Sequence, residues 1–277
     1  VPLHHEVMDW LLDGVPLAQR LVDVNELDDA PRSKVVRYIL AERTCDEGML
    51  RAFIADRNFL IRLAAVRHLI GRSENWSDGL LEGALNDPFQ GMRKTALREV
   101  IHRGRALGPV LVRGMSDASF DIRKMSVTHL DWSRDQLLQH YKAGLKNGER
   151  VAGCLLGLAD IKGNEAVQDV IPFTDHIKPF IRRAALMALA LLAPDTAYER
   201  AMLMIVDPNK CVRSKAEELL LERHSQDVFD RARELMNSDK VIYRLMGLSL
   251  INRFGGWHSL ADLINACLDP SSRIADQ

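Results

Sequence analysis

Cysteine is scarce and scattered. The four residues Cys45, Cys154, Cys211 and Cys267 stand far apart in 277 residues and form no Cys-x-x-Cys pair. That usage argues against a zinc site and a disulfide framework, and it predicts a reducing, cytoplasmic setting. Long hydrophobic runs are also missing. The longest, Ala184 to Ala193, lies between Arg183 and Pro194 and is too short to cross a bilayer, so it reads as a buried helix and no membrane partner is expected. No signal peptide is expected from the residues at the start, where Val1 is the first. Charge of either sign is not in excess. The net charge of −1 gives no global field for nucleic acid or membrane. There is no GxSxG, no Walker sequence, no GxGxxG after a strand and no HExxH. No catalytic residues, no metal and no cofactor are therefore expected. Strand signals are nearly absent, while an apolar content of 47% is ample for a buried core.

What the chain does contain is a repeat. An Asp, four residues, an apolar residue and an Arg recur as Asp56 to Ile61-Arg62, Asp87 to Met92-Arg93, Asp117 to Ile122-Arg123 and Asp207 to Val212-Arg213. Looser copies end in Ile181-Arg182 and Tyr243-Arg244, and a degenerate one sits at Glu149-Arg150. Successive arginines are 31, 30, 27, 32, 31 and 31 residues apart. Three residues after each comes a small residue: Ala65, Ala96, Ser126, Gly153, Ala185, Ala216, Gly247. A residue without bulk at a crossing point lets two helix axes approach closely. Seven residues after the Arg stands an aliphatic (Leu69, Val100, Leu130, Leu189, Leu220, Ile251), with Gly157 the exception. Offsets of 0, 3, 4 and 7 mark one helical face.

The first half of each repeat is helical too, as at Leu80–Leu85, Leu137–Tyr141 and Leu260–Ile264. Thr44 with Glu47, and Ser133 with Gln136, form capping-box patterns, while Trp76 and Trp132 stand at staple spacing before Leu81 and Leu137. Trp257, after Gly255-Gly256, fits the same job. Asn86-Asp87-Pro88 and Val206-Asp207-Pro208-Asn209 break the chain between helices.

A helical hairpin recurring every 31 or so residues buries its apolar face only against its neighbours, which predicts an all-α fold: an α-α superhelix, or solenoid, of stacked repeats. The motif resembles the short HEAT-like repeats named after phycobilisome lyases, within the armadillo-type superhelices. The stretch that carries the likeness is Asp207 to Ala216, Asp-Pro-Asn-Lys-Cys-Val-Arg-Ser-Lys-Ala. The resemblance covers roughly residues 46–277 and implies about seven complete repeats and a partial one at the end. There Asp269 to Ile274 repeats the spacing and Ala275 replaces the Arg, which reads as a truncation of a longer array. Residues 1–45 read as an irregular helical segment, with patterns at Glu6 to Leu12, Pro16 to Val24 and Ser33 to Arg43. The last contains Val36-Arg37, a candidate atypical first repeat.

Two sets of cations are candidates for function. The ladder Arg62, Arg93, Arg123, Arg150, Arg182, Arg213 and Arg244 invites reading as an anion stripe. The resemblance favours instead a structural, inter-repeat ladder, each Arg joining the preceding Asp or its neighbour, while the Asp can also cap the Arg-bearing helix. Offsets of 1, 2 and 5 after the Arg point away from the apolar face, and there lie Arg67, Lys94, Arg98, Lys124, Arg183 and Lys215. Residues 51–124 hold 13 Lys or Arg against 8 Asp or Glu, so this face could follow a phosphate backbone, for which HEAT-like DNA glycosylases are a family precedent. Aromatics for base stacking are missing from that face, which favours a solvated helix surface. His68 and His129 share a repeat position two repeats apart, too far for one metal ion, and His4-His5-Glu6 is a lone local cluster. Cys154 and Cys211 fall in apolar helix patterns and read as core. Gly153 and Gly157, beside the degenerate Lys146–Arg150, weaken their helix and suggest a hinge. The expected function is a non-catalytic scaffold or adaptor that binds another protein through the concave face of its second helices. The alternatives are nucleic-acid binding through the basic face of residues 62–124 and, by resemblance alone, a lyase-like or chaperone-like role on a cofactor-bearing protein.

Overall fold

The computed structural model describes residues 28–41, 47–71, 78–104, 107–223, 225–254 and 259–275. The patterns at Glu6 to Leu12 and Pro16 to Val24, the cluster His4-His5-Glu6, Cys45, the Thr44 cap, and Trp76 and Trp257 lie outside them. The fold is all-α, with no strand among the described residues. It divides into two compact units, Val1–Leu111 and Val112–Gln277.

In the first unit α1 is Asp29–Ala41, α2 Glu47–Ile54, α3 Phe59–Gly71, α4 Asp78–Leu85 and α5 Gln90–Arg103; α6, Leu107–Met115, contains the division. Helices α1 and α2 both pack on α3, α4 packs on α5, and the second helices α3 and α5 touch each other. Val35, Val36, Ile39 and Leu40 of α1 share a core with Met49, Leu50 and Phe53 of α2 and Ile61 and Ala65 of α3. A second core gathers Val66, Ala84, Met92 and Ala96. The apolar residue before each Arg is thus the anchor of its helix, as Ile61 and Met92 are both almost wholly buried.

The second unit continues with α7 Phe120–Thr128, α8 Arg134–Asn147, α9 Val151–Asp160, α10 Val167–Val170, α11 Pro179–Leu192, α12 Pro194–Met204, α13 Lys210–Arg223, α14 Gln226–Met236, α15 Val241–Phe254, α16 Leu260–Cys267 and α17 Ser272–Ala275. Short 3-10 turns, Asn164–Ala166 and Ile171–Asp175, flank α10. The second helices run as a contact series, α9 on α11, α11 on α13, α13 on α15, with first helices α8, α12, α14 and α16 laid against their own partners. The apolar run Ala184 to Ala193 supplies most of the buried face of α11: Ala185, Leu186, Ala188 and Leu189 have no exposed surface, while Leu191 stands in solvent.

All seven small residues are buried, from Ala65 to Gly247. The reason is close approach. A Cβ on Gly153 would stand 1.9 Å from the Ser116 carbonyl oxygen, and one on Gly247 2.5 Å from that of Ala232. The Tyr141 ring fills the space beside Gly157, where a Cβ would meet it at 2.4 Å. These two glycines of α9 are contact surfaces for a neighbouring helix and a ring, so close packing accounts for them without a hinge.

Local signals explain the degenerate fifth repeat. Ser133 and Gln136 close both bonds of a capping box at the start of α8, and Trp132 packs against the core that holds Leu137. The helix then runs on to Gly148, whose φ of 73° makes it a left-handed C-cap. The place six residues before Arg150 is therefore Gly144, inside α8, and no turn exists there to hold an Asp. Arg150 itself is exposed, at φ 44°, as the residue before α9.

Candidate functional site

The seam between second helices is a repeated set of hydrogen bonds. In each regular repeat one guanidinium nitrogen, Nη1, reaches back to two carbonyl oxygens of the turn before its helix. Arg62 donates to Asp56 and Arg57, Arg93 to Asp87 and Pro88, Arg123 to Asp117 and Ala118. Arg182 does so with His176 and Ile177, Arg213 with Asp207 and Pro208, Arg244 with Ser238 and Asp239. The other edge reaches forward. Nε and Nη2 form a two-pronged pair with the carboxylate 25 residues on: Arg62 with Asp87, Arg182 with Asp207, Arg244 with Asp269. Arg–carboxylate forks of this kind add geometric specificity as well as energy.

This differs from the expected ladder in direction. The Arg takes the carbonyl of its own repeat's Asp and the carboxylate of the next repeat's Asp. Nor does the Asp cap the helix. Its Oδ1 accepts from the amide two residues on, within the turn: Asn58 for Asp56, Phe89 for Asp87, Ser119 for Asp117, Asn209 for Asp207, Ser271 for Asp269. The helix-start amides of Leu60 and Cys211 go instead to Asn58 and Asn209. The carboxylate is therefore fixed by its own backbone before the incoming Arg arrives.

Three positions depart from the pattern. In α1 the seam residue is Arg32, buried and 2.6 Å from Asp56, and not Arg37, which is exposed and donates back to the Ser33 carbonyl. Arg123 reaches 37 residues ahead, to Asp160 at the end of α9, at 2.6 Å. The long α8 leaves no turn Asp in between. Position 238, 25 residues beyond Arg213, is a serine, and the Nε of Arg213 is buried without a hydrogen-bond partner among the described residues.

Charge states follow the geometry. Hydrogen bonds donated to Asp87, Asp207 and Asp269 raise Arg62, Arg182 and Arg244 above the usual arginine value. The Arg244 guanidinium, and then the Ser271 amide, hold Asp269 below the ordinary carboxylate range. A depressed folded-state pKa stabilises the fold above the unfolded value and loses that contribution as pH falls through the folded one. Acidification below the ordinary carboxylate range is thus expected to loosen α15 to α17, and Asp269→Asn to remove that part of the pH dependence. Hydrogen exchange of residues 241–275 across a pH series, corrected for intrinsic exchange, measures it.

The six outward cations do not form one set. Arg67 and Arg98 are exposed, occupy the same offset in successive repeats, and have no ion-pair partner among the described residues. Arg183 is likewise exposed and without one. Lys124 is exposed with its Nζ 5.9 Å from the centre of the Phe120 ring. Lys94 is half-buried, and so is Lys215, which pairs with Glu218 on its own helix at 2.6 Å. Lys215 is thus a helix-stabilising partner rather than an open cation.

An aromatic does stand beside Lys124: Phe120 is 54% exposed. Other apolar side chains in solvent are Ile177 at 87%, Phe180 at 60%, Leu191, Leu203 and Leu268. Cys211 joins them, contrary to the core reading, because it stands two residues before the Arg, where Leu60, Phe180 and Ile242 also face out, while Val212 takes the buried place.

Cys154 is buried as expected. Its Sγ–H lies 3.4 Å from Ser116 Oγ, which is 3.2 Å from His140 Nε2. Burial pushes the Cys154 thiol up and His140 down. Both groups stay neutral, which suits a packed polar contact and not a thiolate nucleophile. A groove of about 260 Å³ lies between α14 and α16, and its charges are spent on each other, Arg233 on Asp262 and Arg244 on Asp269. Among the described residues no three His, Cys, Asp or Glu side chains converge as for a metal ion, and no helix is long and apolar enough to cross a membrane.

Compared with models of protein families and with curated proteins, the chain matches none.

Proposed function

We propose that this chain is a non-catalytic scaffold or adaptor, a cytoplasmic α-solenoid of HEAT-like repeats that binds another protein. The observation that carries the reading is where side chains are spent. In the regular repeats the Arg, the turn residue (most often Asp) and the small residue serve the seam, and the same three places recur about 31 residues on. The residues left over point outward and are of the kind that make interfaces: Phe180, Ile177, Leu191 and Leu203 in solvent, and Arg67, Arg98 and Arg183 exposed with no ion-pair partner among the described residues. Stacked repeats present such residues on an extended concave surface. Titratable groups set in a cleft with opposed shifts would favour catalysis; here the shifted groups include arginines and carboxylates paired with each other and buried neutral side chains.

A second reading, nucleic-acid binding along residues 62–124, draws on Arg67, Lys94, Arg98 and Lys124 with Phe120 as a stacking surface. The quadruple variant Arg67→Ala, Lys94→Ala, Arg98→Ala, Lys124→Ala separates the two. The scaffold reading expects it to retain its protein partner in co-precipitation and to show no salt-sensitive DNA or RNA binding to lose. A fall in nucleic-acid affinity by tenfold or more, with the salt slope reduced, would put the second reading first. A chromophore or modified protein that copurifies would instead favour the lyase-like or chaperone-like role.

A further inference from the structure

The seam between α13 and α15 has a cation and lacks its anion. Arg213 keeps the backward half of the motif, donating to the Asp207 and Pro208 carbonyls at 2.7 and 3.0 Å. Its forward edge has no carboxylate, since Ser238 occupies the place that Asp207 holds for Arg182 and Asp269 for Arg244. The serine keeps the turn, its Oγ accepting from the Lys240 amide at 3.2 Å as the aspartates do two residues on. Its hydroxyl is too short and uncharged to replace the fork, and Arg213 Nε is left buried without a partner. A buried unpaired guanidinium N–H forfeits the hydrogen bond that water would give it.

We propose that Ser238 is a phosphorylation site, and that its phosphate completes this rung by pairing with Arg213. Serine at the turn position can acquire an anion by modification of its hydroxyl. A phosphoserine carries about −1.5 to −2 charges and three acceptor oxygens, and Arg binds such a group with two parallel bonds. The reaction is transfer from a nucleoside triphosphate by a serine kinase. The Oγ–P bond forms, the bond from the γ-phosphorus to its bridging oxygen breaks, the hydroxyl proton passes to the kinase's base, and the nucleoside diphosphate leaves. Ser238 lies in the turn between α14 and α15, half-buried, with Asn237, Asp239 and Lys240 exposed around it, so the hydroxyl is within reach of an enzyme. Asp239 opposes the added charge and Lys240 offsets it.

The device makes the firmness of one seam adjustable, and it stands independently of the scaffold reading because its readout is stability. The test uses the full chain with phosphoserine encoded at 238, beside the unmodified chain, S238D and S238A, each also in an R213Q background. The proposal expects phosphoserine to raise the melting temperature by about 2–4 °C, S238D to raise it less or equally, S238A not at all, and R213Q to abolish both gains. An unchanged or lower melting temperature for both phosphoserine and S238D overturns it, as does a gain of equal size in the R213Q background, which would be a general charge effect. So does the absence of phosphate on the peptide containing Ser238 when the chain is isolated from its own cells.

Discussion

Asp207→Ala is expected to cost about 3 kcal/mol of folding stability, a large effect for a turn residue. The side chain of Asp207 is only 7% exposed and that of Arg182 only 12%, so the pair is held away from water. Removing the carboxylate strands the Nε and Nη2 of Arg182, which donate to it at 2.7 Å each, and releases the Asn209 amide that fixes the turn. Losing one partner of a buried pair costs more than the pair contributes, because the other charge stays behind. The double variant with Arg182→Ala is accordingly expected to lose less than the sum of the singles, a coupling that chemical denaturation measures directly. Because each repeat touches only its neighbours in the proposed stack, hydrogen exchange should quicken in α11 to α13 and leave α1 to α5 unaltered. A loss below about 1 kcal/mol would make the seam an exposed ion pair of ordinary worth.

Gly153→Ala is expected to destabilise by about 2 kcal/mol although alanine is the better helix former. The new Cβ would sit 1.9 Å from the oxygen and 2.3 Å from the carbon of the Ser116 carbonyl, backbone atoms that cannot turn aside. Overpacking of this kind costs about 1–3 kcal/mol or more, against a propensity gain of about 1. Gly83 in α4 is the control: nothing lies within 4 Å of its Cβ position, so Gly83→Ala should stabilise by about 0.5–1 kcal/mol. Thermal or urea denaturation of the two variants reads both signs. A stable Gly153→Ala would mean that α9 and the end of α6 have room to part.

The helices and the residues that face inward were legible because the repeat imposes a register. The small residue three places after each Arg is buried every time, and the apolar residue before it is the anchor in α3, α5, α7, α11 and α13. Which carboxylate each Arg takes was not legible from the motif itself, because the fork goes to the following repeat's Asp and not to the preceding one. A rule of counting back 24 or 25 residues from each turn Asp finds the forks, though not Asp160, the partner of Arg123. It leads from Asp56 to Arg32 rather than Arg37, and it exposes the vacancy opposite Arg213. Cys211 was misplaced because its apolar character was read without its column, where Leu60, Phe180 and Ile242 are all in solvent. Lys215 was read as open because offset alone ignores Glu218 one turn on. The hinge at Gly153 and Gly157 rested on helix propensity, and contact with Ser116 and Tyr141 outweighs it.

The proposed adaptor role rests on the outward side chains that the seam does not use, and capture from the native cell extract, with and without nuclease, tests it most directly. The account predicts a stoichiometric protein partner that survives nuclease and is lost when Phe180 and Ile177, 60% and 87% exposed, are both replaced by Asp. Partners that vanish with nuclease and return with added nucleic acid would contradict it and make the basic surface around Arg67 and Arg98 the working one.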